Sequence, residues 1–145
     1  MIYSIIVFIH VISAILSIGP FFVLLPMLKK MRTTENNHAL EAYVGTFSTA
    51  IRIVKHAGHV LVTTGLLAMW LGGWNLLTSW IVMTFAVMIS SIVFLASAFK
   101  PTIRTFNTSE FDQQLFINKL VKSVWIYIVL LLIMLWFMVA KPTLW

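Results

Sequence analysis

The sequence has no cysteine, only four carboxylates among 145 residues, and charged residues make up just 10% of it. Without cysteine there is no disulfide framework, thiolate metal site, iron–sulfur cluster or cysteine nucleophile. A water-soluble domain carries roughly 25% charged residues, so this chain cannot cover its surface in the usual way. Glu35, Glu41, Glu110 and Asp112 all lie between the long apolar runs. That excludes an acidic pair at membrane depth, and with it an intramembrane aspartyl protease or a carboxylate proton relay. No glycine-rich phosphate loop and no Ser/His/Asp set is present. The net charge is +6, but the ten Lys and Arg flank apolar runs instead of interleaving with base-stacking aromatics, which argues against nucleic acid as a partner.

What is present is apolar: 61% hydrophobic residues, 14% aromatic, and a mean hydropathy of +1.00. A bilayer core about 30 Å thick needs roughly 20 apolar residues per helix. Residues 2–28, 54–74, 79–99 and 120–140 meet that requirement. Helix is the expected form for each, because a spanning backbone in lipid must satisfy its own polar groups. The expected fold is all-α: an antiparallel four-transmembrane-helix bundle forming one domain over residues 1–145, with the lipid bilayer as its medium.

The basic residues orient it. Lys29, Lys30, Arg32, Arg52 and Lys55 surround the first connection, and Lys100, Arg104, Lys119 and Lys122 the third. The second connection, Gly72-Gly73-Trp74-Asn75, carries no charge, and only Lys141 shares its side. The positive-inside rule therefore predicts a multi-pass protein of a bacterial-type plasma membrane, with both termini outside and the two longer connections cytoplasmic. The first span lacks a basic leader and an Ala-x-Ala site, so it reads as a span and not as a cleaved signal.

Apolar residues recur at Leu40, Tyr43, Val44, Phe47, Ile51 and Val54, a helical spacing that carries the second helix well below the membrane. Asn36 or Asn37 can cap its start. Ser109 followed by Asp112 reads as a capping box ahead of the fourth helix. Gly19-Pro20 and Pro26 predict a kink in the first helix; the glycine there either admits a neighbouring helix or forms a notch for a cofactor. The eight methionines are scattered and read as packing filler. Trp70, Trp74, Trp80, Trp136 and Trp145 read as an interfacial belt, and Trp125 either packs in the core or stacks on a cofactor. Ser90, Ser91 and Ser97 are expected to bond to their own helix or a neighbour.

Chemistry rests with histidine. His38 sits in a polar loop beside two asparagines. His10 is an ionisable group inside the first span, a position that by default marks a functional site; otherwise it is a satisfied imidazole bonded to Ser or Thr across the bundle. His56 and His59 share a helical face with Arg52 and Thr63. On the first helix, His10, Ser13, Ala14 and Ser17 form a stripe of one imidazole and small residues, against which a neighbouring backbone or a porphyrin can press. Measured from Tyr3 and Trp70 at about 1.5 Å per residue, His10 lies about 10 Å deep, His59 about 16 Å and His56 about 21 Å. Two imidazoles at similar depth on adjacent helices are the arrangement that ligates a b-type haem. The expected site is haem b with iron ligated by His10 and by His59 or His56, Ser13 and Ser17 beside it, and Arg52 and Lys55 toward the propionates.

The run His10-Val-Ile-Ser-Ala-Ile-Leu-Ser-Ile-Gly-Pro-Phe-Phe resembles the first helix of small four-span bacterial membrane families: the copper-resistance CopD-like proteins, the HemJ-type protoporphyrinogen oxidases and the DUF2269 proteins. The resemblance covers roughly the first 30 residues, and the four-span plan more loosely. The HemJ-type proteins bind haem b through a helix-one histidine, which maps onto His10. Ser17-Ile18 stands where those families carry a Trp before the Gly, and their charged residues in later spans are lacking here. The resemblance thus implies a haem-type four-helix protein and no particular reaction. The leading expectation is a membrane haem protein in electron transfer or haem handling, with a quinone or a respiratory complex as partner and oxidoreductase activity left open. Two alternatives stand beside it: a colourless assembly factor or accessory subunit of a respiratory complex, and a small copper- or metal-handling protein.

Overall fold

A computed structural model describes Met1–Trp145 and contains four α-helices: α1 (Ile2–Thr33), α2 (Asn37–Leu71), α3 (Ser79–Arg104) and α4 (Gln113–Ala140). Three of them, α1, α3 and α4, are long and apolar enough to cross a membrane, which marks a membrane protein. The second helix is the longest, but Lys55, His56 and His59 interrupt its apolar stretch, so the expected second span is the least apolar of the four.

The helix starts follow local chemistry. Asn36, and not Asn37, caps α2: its side chain accepts from the backbone N–H of His38 at 2.9 Å and of Ala39 at 3.4 Å, satisfying donors that have no partner inside the helix. Asp112 caps α4 by accepting from Leu115 N–H at 3.0 Å. Ser109 lies in the preceding turn and takes no part, so the cap starts three residues later than the capping box predicts. Helix α1 continues through Pro20 and Pro26. Gly73 takes a positive φ of 67° and reverses the chain between α2 and α3, a conformation open to glycine at no steric cost.

Packing joins the helices in the order α2, α1, α4, α3: α1 runs along α2, α4 lies against α1, and α3 lies against α4. The end where the basic residues gather is clasped by α4. Gln113 Nε2 donates to the carbonyls of Met31 at 2.8 Å and Thr34 at 2.9 Å, and Gln114 Nε2 to Arg32 at 3.3 Å. Carbonyls in the last turn of a helix have no partner of their own, so these amides complete the end of α1. Arg32 returns the link by donating to Asn118 Oδ1 at 2.7 Å.

At the opposite end, residues 142–145 fold back on the α2–α3 turn. The buried Ser79 hydroxyl donates to Pro142 O at 2.9 Å and accepts from Leu144 N–H at 3.0 Å, and Trp145 Nε1 donates to Leu77 O at 3.0 Å. Lys141 Nζ sits 4.9 Å from the Trp74 ring centroid and 5.5 Å from that of Trp80.

The core lies toward the basic end. Phe21 of α1, Phe47 of α2, Phe99 of α3 and Tyr127 of α4 meet there, with Phe21–Tyr127 at 4.8 Å, Phe47–Phe99 at 5.9 Å and Phe99–Tyr127 at 6.0 Å between centroids. Large rings from all four helices fill that half of the bundle. Trp125 lies on the outside, 53% exposed, and so neither packs in the core nor faces an internal guest. Ser90, Ser91 and Ser97 of α3 bond back to their own helix, to Ala86 O, Met88 O and Phe94 O respectively.

Phe99 is fully buried and Phe22 is 52% exposed. Phe99→Ala should destabilise the detergent-solubilised protein by about 3–5 kcal/mol, the range for removing a buried ring, whereas Phe22→Ala should change stability little. Denaturant unfolding followed by tryptophan fluorescence reads both, and equal effects would show that the ring cluster does not carry the core.

Candidate functional site

The half of the bundle away from the aromatic core is not filled. A cleft of about 630 Å³ opens there between all four helices, within the range of about 300–1,000 Å³ typical of small-molecule and cofactor sites. Its wall is apolar, and the small residues Ala14, Gly19, Gly65 and Ala68 on α1 and α2 widen it among bulkier apolar side chains from all four helices. No atom lies within 4 Å of where a Cβ on Gly19 would stand. That glycine therefore belongs to the cleft wall and does not admit a neighbouring helix.

His10 is the one histidine on this wall. Its ring is held from behind: Nδ1 lies 3.0 Å from the Leu61 carbonyl oxygen and 3.1 Å from Thr64 Oγ1. A carbonyl can only accept, so Nδ1 carries the proton and donates. Thr64 gives its own hydroxyl proton to Val60 O at 2.7 Å, which leaves its oxygen lone pair as the second acceptor for the same N–H. Nε2 is thereby left as a bare lone pair. It has no partner in the chain, yet it is not a sealed orphan, since the buried side-chain atom lacking a partner is Ser17 Oγ. Gly65 makes room for the ring: a Cβ there would meet His10 Cε1 at 3.0 Å and Nδ1 at 3.4 Å.

The remaining residues of the expected site go elsewhere. Ser13 and Ser17 are buried on the His10 face of α1, Ser13 donating to His10 O at 2.8 Å. Neither serine lines the cleft; of the small residues in that stripe only Ala14 does. His56, His59, Arg52 and Lys55 are exposed and line no part of the cleft. The structure thus does not bring His56 or His59 to His10, and no cluster of three or more His, Asp or Glu side chains forms within the chain. His38 is exposed at the start of α2.

Residues not anticipated from the sequence take their place. Thr64 and Gly65 set the ring of His10. Lys141 contributes a cation at the charge-poor end of the cleft, and Met69, Met88, Met134 and Met138 converge on it from three helices. Met69, Met88 and the Met134–Met138 pair are far apart in sequence, so their meeting was hidden until the helices were paired. Comparison with protein-family models, curated proteins and solved structures returns no match to this chain.

Nitrogen-15 NMR of His10 should show the proton on Nδ1 and a lone pair on Nε2. Gly65→Val, which drives two methyl groups toward the ring, should abolish that single-tautomer signature, while Gly45→Val, at a glycine with open space around it, should leave it intact. A proton found on Nε2 in the unaltered protein would refute the assignment.

Proposed function

We propose that this is a small integral membrane protein that holds a b-type haem in the cleft, with His10 Nε2 as a ligand to its iron. The observation that carries the reading is the fixed tautomer: an imidazole whose Nδ1–H is pinned to a backbone carbonyl, with Nε2 free beside an apolar cavity. A histidine that ligates metal almost always donates its other ring N–H to a carbonyl or carboxylate, which orients the ring and raises its basicity. His10 meets that condition through Leu61.

The donor set of the cleft fits the group in a form different from bis-histidine ligation. The other soft donors on the wall are the methionine thioethers, and paired His and Met ligands are a known haem environment. Lys141, at the mouth beside Trp74 and Trp80, suits a propionate carboxylate better than Arg52 or Lys55, which lie off the cleft. Haem in such a site would supply one-electron chemistry, with a quinone or a respiratory complex in the same bilayer as the electron partner. The resemblance of the His10 run to haem-binding helices points the same way.

All four helices span in this reading. Helix α2 lies along α1 and is tied to it at His10, so a membrane crossed by α1 is crossed by α2 as well. The nine basic residues at one end and the single Lys141 at the other favour cytoplasmic α1–α2 and α3–α4 connections, with residues 1 and 145 outside.

Purified protein titrated with haemin should develop a Soret band and a reduced-minus-oxidised difference spectrum. His10→Ala should abolish both, and His56→Ala with His59→Ala should leave both. Thr64→Val, which removes an acceptor behind the ring, should weaken binding by about 10–100-fold, the usual effect of losing an outer-shell partner. A Soret band that survives His10→Ala would remove the proposal.

A further inference from the structure

The exposed face of α2 opposite its contact with α1 carries a second pattern. Gly45, Thr49, Arg52, His56, His59 and Thr63 follow one another at spacings of four, three, four, three and four residues, and every one of them is exposed. That is a repeat of 3.5 residues, the period of a helix that packs along another helix in a left-handed supercoil. The seam continues through Leu66 to Trp70, also exposed. Thr49 and Thr63 turn their hydroxyls back to Gly45 O at 3.0 Å and His59 O at 2.9 Å, so toward a neighbour they act as small residues. Beside the seam, the small residues Ala42, Gly45, Thr46, Thr49 and Ala50 leave a shallow, open strip that a second helix can approach closely.

Imidazoles facing acyl chains are costly, and ionisable groups within a span almost always face protein or a water-filled cavity. The rings of His56 and His59 have no partner within the chain. The seam holds no carboxylate above Glu41, so nothing in the sequence suits it to a cationic partner, while its histidines are both donors and acceptors and can serve their own kind. A two-fold axis along the membrane normal sets each residue against its own copy at the same depth. Arg52, one turn nearer the basic end, has a stem long enough to carry its charge to headgroup level.

We infer that α2 pairs along this seam with α2 of a second copy of the chain, gathering two His56 and two His59 side chains into a four-imidazole site for a transition-metal ion such as zinc. Histidines three apart on one helix share a face, and two such pairs supply the four nitrogen ligands of a closed tetrahedral site. The inference rests on α2 crossing the membrane, as proposed above, but not on haem at His10.

The absence of cysteine makes the test direct. Thr49→Cys and Thr63→Cys, each introduced alone and oxidised by iodine in alkali-washed membranes, should give covalent dimers, because facing seam positions approach within disulfide reach. Val93→Cys and Val129→Cys, exposed on α3 and α4, should not. Protein purified with zinc chloride and then dialysed should retain one zinc per two chains, and His56→Ala with His59→Ala should lower retention at least tenfold. Cross-linking at 49 and 63 no greater than at 93 and 129 overturns the inference, and so does zinc that is not retained or is retained equally by the double variant. The haemin titration reads His10 separately, so either proposal can fail while the other stands.

Discussion

The hydrogen bond from His10 Nδ1 to the Leu61 carbonyl ties sequence, fold and site together. It is a long-range polar contact in a part of the bundle otherwise built from apolar side chains, and in an apolar medium a polar group that finds no partner is costly. The imidazole therefore helps to set how α1 and α2 face each other, since it reaches two residues of α2, Leu61 and Thr64. The same bond fixes which nitrogen carries the proton, so a structural tie and a chemical readiness come from one contact. Gly65 is the permissive element, since any larger residue would press on the ring.

The cleft follows from the distribution of side-chain volume along the bundle. Toward the basic end, Phe21, Phe47, Phe99 and Tyr127 supply one ring from each helix and fill the centre. Toward the other end, Ala14, Gly19, Gly65 and Ala68 interrupt the larger side chains of α1 and α2 and leave space beside His10. Each end is separately clasped, by Gln113 and Gln114 on α1 and by residues 142–145 on Ser79 and Leu77. The helices are thus held at both ends and propped apart between them, which keeps an unfilled space from closing.

Much of this was legible before any coordinates. Four helices, their approximate limits, a cap at Asn36 or Asn37 and the collection of basic residues at one end all come from patterns within a few turns of chain. The azimuth of α2 did not. Its sequence offers two faces at helical spacing, one polar through Arg52, His56 and His59, the other small and apolar through Ala57, Leu61, Thr64 and Gly65. Matching histidines by depth favoured the first, but burial of apolar surface selects the second. The depth count itself held the signal: at about 1.5 Å per residue from Trp70, Thr64 lies about 9 Å deep, closer to the level of His10 than His59 is. The methionines of the cleft were opaque for another reason, because their convergence is a property of helix pairing and not of spacing.

The grip of residues 142–145 on Ser79 has a consequence for altering this chain. The segment that follows α4 is fastened by three hydrogen bonds to the start of α3 and the residues just before it. A label inserted between Ala140 and Leu144 would therefore pull on the turn that joins α2 to α3, and with it on Trp74 and Trp80 beside Lys141.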